Sequence, residues 1–260
     1  MEEKFSYKDL VIAYEDNHII VVVKPQNIPS QEDETKDVDM LNVVKEYIKV
    51  KYEKKGEAYV GLVHRLDRPT GGLMVFAKTS KAAARLTESI QSGDMEKKYL
   101  CITCGVPVNK KATLVNYLRK NADKNIVEVV HMSTKDAKKA ELDYEVLDSL
   151  QDYGLVKISL NTGRSHQIRV QLSNIGYPLY GDKKYGGRKE TLKNNLALWA
   201  TELSFTHPTL KQRMKFIAYP PEDVAPWKAF QLTKYLNVNK IKQSPYLQTL
   251  INSQDRRDEF

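Results

Sequence analysis

The N-terminal part of the chain alternates continuous apolar runs with segments whose apolar residues recur at helical spacing. Residues 19–23 are apolar throughout and end at a Lys-Pro pair, which predicts a short buried strand. From Asp39 to Ile48 the apolar positions fall on one face and Asp39 is a suitable N-cap, so this segment is predicted to be a helix. Residues 60–66 and 73–77 are predicted to be strands around a turn rich in proline and glycine.

A second helix is predicted after Thr79 or Ser80, either of which can cap its first turn. Its inward face would run from Ala83 to Ile90, and Gly93 lies beyond its end.

After Lys97 the pattern changes to short β-branched and aromatic runs separated by polar turns, which is typical of an antiparallel sheet. One more helix is predicted at 166–175, followed by a glycine-rich loop at 181–187. The strands predicted in this part of the chain are 99–103, 112–118, 126–130, 142–147, 155–160, 196–205 and 214–218.

This order of elements lacks the strict strand–helix alternation of a parallel sheet. We therefore predict an α+β fold in which helices flank a mixed, largely antiparallel central sheet. No linker or repeat interrupts the chain, so residues 1–233 are expected to form one domain. Residues 234–260 are expected to be a C-terminal extension, with a helix packed on the sheet.

Composition adds a function class to this picture. The 260 residues include 41 Lys and Arg against 33 Asp and Glu, a net charge of +8, which favours an anionic partner, with nucleic acid first and a membrane surface second. The longest apolar run is far shorter than the ~20 residues that a membrane-spanning helix needs. No secretory signal is visible at the N-terminus, so we expect a cytoplasmic protein.

The two cysteines, Cys101 and Cys104, form a C-x-x-C motif. A structural zinc site needs four ligands, and no second Cys/His pair follows at ligand spacing. The motif also lies in a predicted strand, which places the two thiols on opposite faces. We therefore interpret them as core or surface cysteines rather than as a redox or metal pair.

The first segment with candidate chemistry is HRLD at residues 64–67, followed by TGG at 70–72. Asp67 stands between Arg65 and Arg68, and nearby cations favour the ionised carboxylate. An oriented carboxylate can act as a nucleophile or a base. From these residues alone, a turn held by an Arg–Asp ion pair is the simpler interpretation.

The second segment is TGRSHQIR at residues 162–169, at the start of a predicted helix. His166 and Arg169 are three residues apart and would share one polar flank of that helix, with Arg164 just before it. Arginines in this position can hold a phosphate or a carboxylate. A solvated basic helix end is the alternative interpretation.

Together these two segments resemble the paired signatures of the large-ribosomal-subunit (RluA-type) family of pseudouridine synthases. The resemblance extends from about residue 11 to residue 220, and it includes Lys24-Pro25, Tyr99 and the Tyr-Gly-Asp of residues 180–182. It implies the catalytic fold of that family and an enzyme that isomerises uridine in RNA to pseudouridine.

The resemblance also implies roles for individual residues. Asp67 would be the nucleophile that attacks the target nucleotide, at the ribose C1′ or by an equivalent route. Tyr99 would sit against the uracil and assist removal of the C5 proton. Arg169 would pair with Asp67 and keep it ionised. Arg65 would occupy the space of the target base once that base is flipped out.

His64, Arg164 and His166 are predicted to bind substrate rather than to take part in the chemistry. The resemblance implies no metal and no cofactor. The expected partner is ribosomal or transfer RNA, with no obligate protein partner, so we expect a monomer. Candidates for RNA contacts outside the two signatures are Lys135, Lys138, Lys139, Lys183, Lys184 and Arg188, and a solvated charge run is the alternative interpretation of these residues.

The sequence departs from the family pattern at two positions. Gly71 stands where the family usually has Ser, and Gln171 where a His often follows the second signature. Neither change would touch Asp67, so catalysis is expected to survive. Fewer than a dozen residues precede the catalytic fold, so no N-terminal RNA-binding module of the S4 type is expected.

Two other function classes remain alternatives. A catalytically silent RNA-binding protein of the same fold would have no use for an ionised carboxylate that faces an anionic ligand. An N-glycosidase would release free uracil instead of isomerising the nucleotide.

Overall fold

The computed structural model describes residues 5–121 and 124–235, and the backbone of 247–251. Three α-helices are present in these residues: α1 (Met40–Lys51), α2 (Ser80–Gln91) and α3 (Gln167–Asn174). Short 3₁₀ turns occupy Tyr7–Asp9, Lys189–Thr191, Trp227–Ala229 and Leu232–Lys234. The strands are β1 (Val11–Glu15), β2 (Ile19–Lys24), β3 (Gly61–Leu62), β4 (Gly71–Ala77), β5 (Glu96–Cys104), β6 (Lys111–Asn121), β7 (Ile126–Val130), β8 (Lys138–Leu150), β9 (Tyr153–Leu160), β10 (Leu198–Thr206), β11 (Arg213–Ala218) and β12 (Leu247–Ile251).

The chain divides into two compact units. Unit 1 comprises Met1–Met95, Glu202–Ala218 and Val238–Phe260. Unit 2 comprises Glu96–Thr201 and Tyr219–Asn237. Each unit therefore combines segments that are far apart in the sequence, and each is described here by itself. The single domain expected over residues 1–233, with an extension at 234–260, stays a prediction.

The core of unit 1 is the antiparallel pair β2–β4, which is buried along its whole length. Its residues form continuous apolar runs, as expected for strands that are covered on both faces. The register places Lys24, the last residue of β2, opposite Gly72 at the start of β4. Lys24 is thereby brought beside the chain that enters β4, which carries the first candidate segment.

The two helices of unit 1 begin where the sequence predicts. The Asp39 side chain accepts a hydrogen bond from the backbone N–H of Asn42 at the start of α1, and the Thr79 hydroxyl accepts one from Ala82 at the start of α2. α2 packs against β3 and β4. Both caps satisfy backbone donors that the first helical turn leaves without an intrahelical partner.

Unit 2 contains the antiparallel strands that the second half of the sequence predicts, but β6 and β8 are longer than predicted, and Lys138 and Lys139 lie in β8 rather than in a connection between strands. Their order is β5-β9-β8-β6-β7, and each neighbouring pair is antiparallel. α3 packs against β6 and β7. A buried cluster at this contact contains Leu118, Val127, Ala140 and Val170. The α+β class, with a largely antiparallel sheet flanked by helices, is confirmed.

Three predicted elements differ from the structure. The strand expected at 60–66 is only β3, because residues 63–70 have irregular backbone that bonds to a neighbouring loop instead of a sheet. The helix expected at 166–175 begins one residue later, since His166 has a φ of 51° and serves as its N-cap. Of the predicted C-terminal helix, the described residues 247–251 form β12 beside β11, and 236–246 and 252–260 lie outside the described residues.

Cys101 and Cys104 are free and buried, as predicted for core cysteines. Burial raises the pKa of the Cys101 thiol, so it stays protonated. Within the described ranges, no group of His, Cys, Asp and Glu is arranged to hold a metal ion. No helix in those same ranges is long and apolar enough to cross a membrane.

Candidate active site

The segment that carries Asp67 is held by a serine from the preceding loop. The buried Ser30 hydroxyl donates to the carbonyl of Leu66 at 2.7 Å and accepts from its N–H at 3.0 Å. Both backbone groups of Leu66 are therefore satisfied without a sheet partner, which this irregular segment needs when it is buried. The residue immediately before Asp67 is fixed in place.

The residues after Asp67 are held by the loop that follows β2. The Asn27 N–H donates to the Arg68 carbonyl at 2.8 Å, and the Gln26 amide donates to the Pro69 carbonyl at 2.9 Å. The Thr70 N–H donates to the Asp67 carbonyl at 2.9 Å, which closes a turn that begins at Asp67. Asp67 thus starts a tight turn whose backbone is anchored on both sides.

Lys24 lies beneath this turn and is completely buried. Its ammonium donates to the carbonyls of Pro25, Ile28 and Arg68 at 2.9, 2.6 and 3.0 Å. Burial lowers the pKa of Lys24 to about 7, the charge of Asp67 raises it, and Arg68 lowers it again. Asp67 and Lys24 therefore influence each other electrostatically, and three carbonyl acceptors match the three donors of an ammonium.

The two arginines beside Asp67 do not form the ion pair that the simpler interpretation of this turn requires. The Arg68 guanidinium bonds to Asp33 at 2.8 Å and to Asp37 at 2.6 Å, both in the loop before α1. Arg65 is exposed. The turn is held instead by the ion pairs of Arg68 with Asp33 and Asp37 and by backbone hydrogen bonds.

His64 is tied to β4. Its Nε2 accepts a hydrogen bond from the Val75 N–H at 3.0 Å, so a neutral ring carries its proton on Nδ1. This contact orients the beginning of the segment that leads to Asp67. The predicted role of His64 in binding substrate stays a prediction.

In unit 2, Arg169 is buried at the start of α3 and forms a two-point ion pair with Asp182. Its Nε and Nη2 each donate to one carboxylate oxygen at 2.8 Å. The arginine and aspartate side chains are 5% and 0% exposed, so this is a desolvated pair. The solvated basic helix end is therefore wrong for Arg169, although it describes the exposed Arg164.

The two-point contact with Asp182 fixes the orientation of the Arg169 guanidinium. It uses the edge formed by Nε and Nη2, which leaves the edge formed by Nη1 and Nη2 in a fixed orientation. Asp182 is itself held, because its Oδ1 accepts from the N–H groups of Lys184 and Tyr185 at 2.9 and 3.1 Å. Arg169 is therefore positioned by the glycine-rich loop.

Tyr185 connects the two polar residues of the second signature. Its ring lies 5.1 Å from the Arg169 guanidinium carbon, and its hydroxyl lies 2.7 Å from His166 Nδ1. The same hydroxyl accepts from the N–H of Val127 at 2.7 Å. His166 and Arg169 thus meet at one tyrosine, as residues that share one flank of the helix can.

The turn before α3 is built around Gln167. Its side-chain oxygen lies 2.8 Å from the Thr162 hydroxyl and accepts from the Arg164 N–H at 3.0 Å. Its amide nitrogen donates to the Glu141 carbonyl at 3.0 Å, which ties the turn to β8. Arg164 Nε donates to the Lys139 carbonyl at 2.9 Å, so its guanidinium lies at the surface beside β8.

Tyr99 lies on β5, is 6% exposed and stands opposite Ile158 of β9. The structure therefore brings together His64, Arg65 and Asp67 in one segment, and His166 with Arg169 around Tyr185. The pairing of Asp67 with Arg169 stays a prediction.

A sequence model of the family described as RNA pseudouridylate synthase matches residues 18–174, which include Asp67, Tyr99 and Arg169. The chain belongs to this family. It is an RNA pseudouridine synthase, an enzyme that converts uridine in RNA to its isomer pseudouridine.

Individual relatives agree with this assignment. The uncharacterized RNA pseudouridine synthase YlyB of Bacillus subtilis is 35% identical over 221 residues, which are 84% of this chain and 71% of the relative. Ribosomal large subunit pseudouridine synthase D of Pseudomonas aeruginosa is 34% identical over 83% of this chain and 69% of its own length. The resemblance of the synthase to the RluA-type family is confirmed.

Solved structures support the fold. Human RNA pseudouridylate synthase domain containing 4 has a TM-score of 0.68 and 26% identity, over 81% of this chain and 88% of the human chain. Human RNA pseudouridylate synthase domain containing 1 also has a TM-score of 0.68. Because its identity is 20%, this match supports the fold only.

Four residues that hold the candidate site of the synthase had no role in the sequence prediction: Lys24, Ser30, Asp182 and Tyr185. The signal for Lys24 is a charged residue at the end of a fully apolar strand, since a buried ammonium requires acceptors. Asp182 belongs to the Tyr-Gly-Asp of the family resemblance, and Tyr185 lies in the glycine-rich loop predicted at 181–187, but neither was assigned a partner. No local pattern indicates which arginine such an aspartate meets.

Proposed function

We propose that this synthase isomerises specific uridines in ribosomal or transfer RNA, with Asp67 as the nucleophile and with the target base flipped out of its stack. The observation that carries the proposal is the anchoring of Asp67. The backbone on both sides is held by Ser30, Asn27 and Gln26, and the buried Lys24 lies beneath the turn. Preorganisation of this kind is what a reacting carboxylate requires.

The proposed reaction conserves all atoms of the nucleotide. The bond between N1 of uracil and C1′ of ribose breaks, with Asp67 attacking C1′ or acting by an equivalent route. The detached uracil turns and a bond forms between C5 and C1′, while any bond between the Asp67 carboxylate and C1′ breaks and restores the free carboxylate. C5 then loses its proton and N1 gains one. Tyr99 is proposed to pack on the uracil and assist removal of the C5 proton.

Arg169 is proposed to be the ion partner of the nucleophile, as in the family signature. Its bidentate contact with Asp182 supports this role, because a guanidinium held along one edge presents its other edge in one orientation. His166 shares Tyr185 with Arg169, which supports a substrate-binding role for His166 next to it.

Arg65 is proposed to take the space of the flipped base. Its side chain is exposed although both neighbours, His64 and Leu66, are anchored. Flipping costs a few kcal/mol of stacking and pairing, least where the target is already single-stranded. A side chain that replaces the base offsets part of this cost. His64 and the exposed Arg164 are proposed to contact the substrate beside it.

Ribosomal RNA is the first candidate substrate, because several relatives are named ribosomal large subunit pseudouridine synthase D. Transfer RNA remains the second candidate. We further propose that the synthase acts in the cytoplasm, as a monomer and without a cofactor, and that its exposed Lys135, Lys138 and Lys183 contribute to RNA binding.

The deciding experiment maps pseudouridine in ribosomal and transfer RNA from source cells with and without this gene, by sequencing carbodiimide adducts. A position that is lost on deletion and restored by the wild type identifies both reaction and RNA. Asp67→Asn should fail to restore it, with a loss of at least about 10³-fold in rate, and should still bind the RNA.

Asp223→Asn is the matched control, since it makes the same chemical change on an exposed carboxylate that has no role in the proposed site. It should restore the modification. Restoration by Asp67→Asn would overturn the role of Asp67 as nucleophile. Free uracil among the products would favour an N-glycosidase, and no change at any position would favour a silent RNA-binding protein.

A further inference from the structure

Lys97 stands out among the cations of unit 2 because of where strand β5 places it. It lies two residues before Tyr99, so strand alternation puts both side chains on the same face of β5. The lysine is half-buried, whereas the glutamate before it is exposed. A cation is thus partly withdrawn from water on the face that carries a proposed catalytic residue.

Other strongly buried cations of the protein have clear partners. Lys24 donates to three carbonyls, Lys78 bonds to Glu15 and Arg169 bonds to Asp182. Across residues 5–121 and 124–235, the Lys97 ammonium forms neither a hydrogen bond nor an ion pair. Burial lowers its pKa, with no carboxylate to oppose the shift. A partly buried charge without a partner lowers the stability of the fold. Such charges are common at sites that bind a ligand.

The position of the ammonium indicates where that ligand would lie. Lys97 Nζ is 3.6 Å from the point that a Cβ on Gly163 would occupy. Gly163 is exposed and belongs to the turn Thr162–His166 of the second signature. The partly buried ammonium of Lys97 therefore lies beside an exposed turn of the second signature.

We propose that Lys97 is an RNA-binding residue whose ammonium contacts a backbone phosphate of the bound strand beside Gly163. The inference rests on the proposed function and extends it, because it names one phosphate contact on the face of Tyr99. A phosphate oxygen suits a lysine, which acts as a compact point charge. A bound phosphate would also supply the counter-charge that Lys97 lacks.

The test measures binding of a fluorescein-labelled RNA of fifteen uridines across a series of salt concentrations. Lys97→Met should weaken binding about three- to tenfold and reduce the slope of log K against log salt by about 0.7, the loss of one phosphate contact on a single strand. Lys97→Arg should recover most of the affinity. Lys110→Met, which removes an exposed lysine before β6, should change affinity less than about twofold.

Thermal unfolding separates this role from a structural one. Lys97→Met should have a Tm equal to or above that of the wild type, because it removes a desolvated charge without a protein partner. Gly163→Asp should raise the Tm by giving Lys97 a carboxylate, and should weaken RNA binding more than Gly163→Asn does. The backbone of Gly163 is not in the left-handed region, so both side chains are conformationally acceptable.

A lower Tm for Lys97→Met with unchanged affinity and salt slope would overturn the proposal. So would a wild-type protein that does not bind the uridine RNA at low salt. Binding is read without turnover, so failure here is distinct from failure of the proposed function. A wild type that makes no pseudouridine, together with a reduced salt slope in Lys97→Met, would refute the reaction and keep the phosphate contact.

Discussion

The two units hold their candidate site residues by different physical means. In unit 1, Asp67 is positioned through its backbone, by a serine hydroxyl, an amide and a buried ammonium that bond to neighbouring main-chain groups. In unit 2, Arg169 is positioned through its side chain, by a buried carboxylate and an aromatic ring. The contacts described for Asp67 fix the main chain on both sides of it, whereas the buried Arg169 needs a counter-charge to remain where it is.

The two units also differ in net charge. Unit 1 has 21 Lys and Arg against 20 Asp and Glu, and unit 2 has 20 against 13. Nearly all of the net positive charge therefore belongs to unit 2. Attraction of a polyanion such as RNA is accordingly concentrated in unit 2, while the proposed nucleophile lies in a unit that is close to neutral.

The largest expected effect comes from breaking the ion pair of unit 2. Asp182→Asn leaves the Arg169 guanidinium buried without its counter-charge, and should lower the free energy of unfolding by about 3–5 kcal/mol. The double variant Arg169→Met/Asp182→Asn should recover part of this loss and remain inactive. Urea unfolding and pseudouridine formation measure the two effects. If Asp182→Asn were as stable as the wild type, the ion pair would not be what holds Arg169 in unit 2.

Loss of the Ser30 contacts that hold the backbone of Leu66 should lower stability less than loss of the ion pair of unit 2. Ser30→Ala leaves the buried N–H and carbonyl of Leu66 without their partner, which should cost about 2–3 kcal/mol of stability. Because Leu66 precedes Asp67, kcat should fall more than KM rises. Ser92→Ala, on an exposed hydroxyl at the end of α2, is the control and should change neither quantity. An Asp67 turn that keeps full kcat without Ser30 would show that the anchor is dispensable.

An ionic cluster in unit 1 is centred on Glu15. Burial opposes ionisation of Glu15, but hydrogen bonds from Lys51, Lys78, Tyr52 and Tyr47 outweigh it and lower its pKa from 4.5 to about 2. This stabilisation is complete above pH 4.5 and is lost as the pH falls through 2. Glu15→Gln should lower the free energy of unfolding by about 2 kcal/mol at pH 7. It should also make the stability fall less steeply as the pH is lowered.

Stability curves of the wild type and Glu15→Gln between pH 7 and 2 test this assignment. The two curves should converge at the acid end. A constant difference over the whole range would mean that Glu15 contributes through packing rather than through its charge.

The smallest effect is expected at Tyr185. Tyr185→Phe keeps the ring beneath Arg169 but leaves the Val127 N–H without its acceptor, which should cost about 1 kcal/mol. It should also remove the contact of the Tyr185 hydroxyl with His166 Nδ1, seen as a change in the NMR chemical shift of that nitrogen, and lower kcat about threefold to tenfold. Tyr153→Phe is the control, because its ring also faces an arginine, Arg188, at 5.5 Å. Equal behaviour of both variants would remove Tyr185 from the site.

Much of the fold could be predicted because its signals are local. The N-caps Asp39 and Thr79 precede α1 and α2 as expected, and β5 to β9 lie where the β-branched runs predict them. The strand expected at 60–66 is present only as β3, at Gly61–Leu62. The backbone of Leu66 bonds to the Ser30 hydroxyl instead of to a sheet partner, and a strand and such an irregular segment can have the same hydrophobic pattern.

The α+β class, the family, most of the helices and strands and the two signature segments with Asp67 and Arg169 could be predicted from the sequence. Which charges meet became evident from the packed structure alone. Arg68, beside Asp67 in the chain, turns to Asp33 and Asp37, and Arg169 pairs with an aspartate thirteen residues further along. The reason is physical: hydrophobic periodicity and capping act between near neighbours, whereas an ion pair depends on distances that exist only after distant segments have packed together.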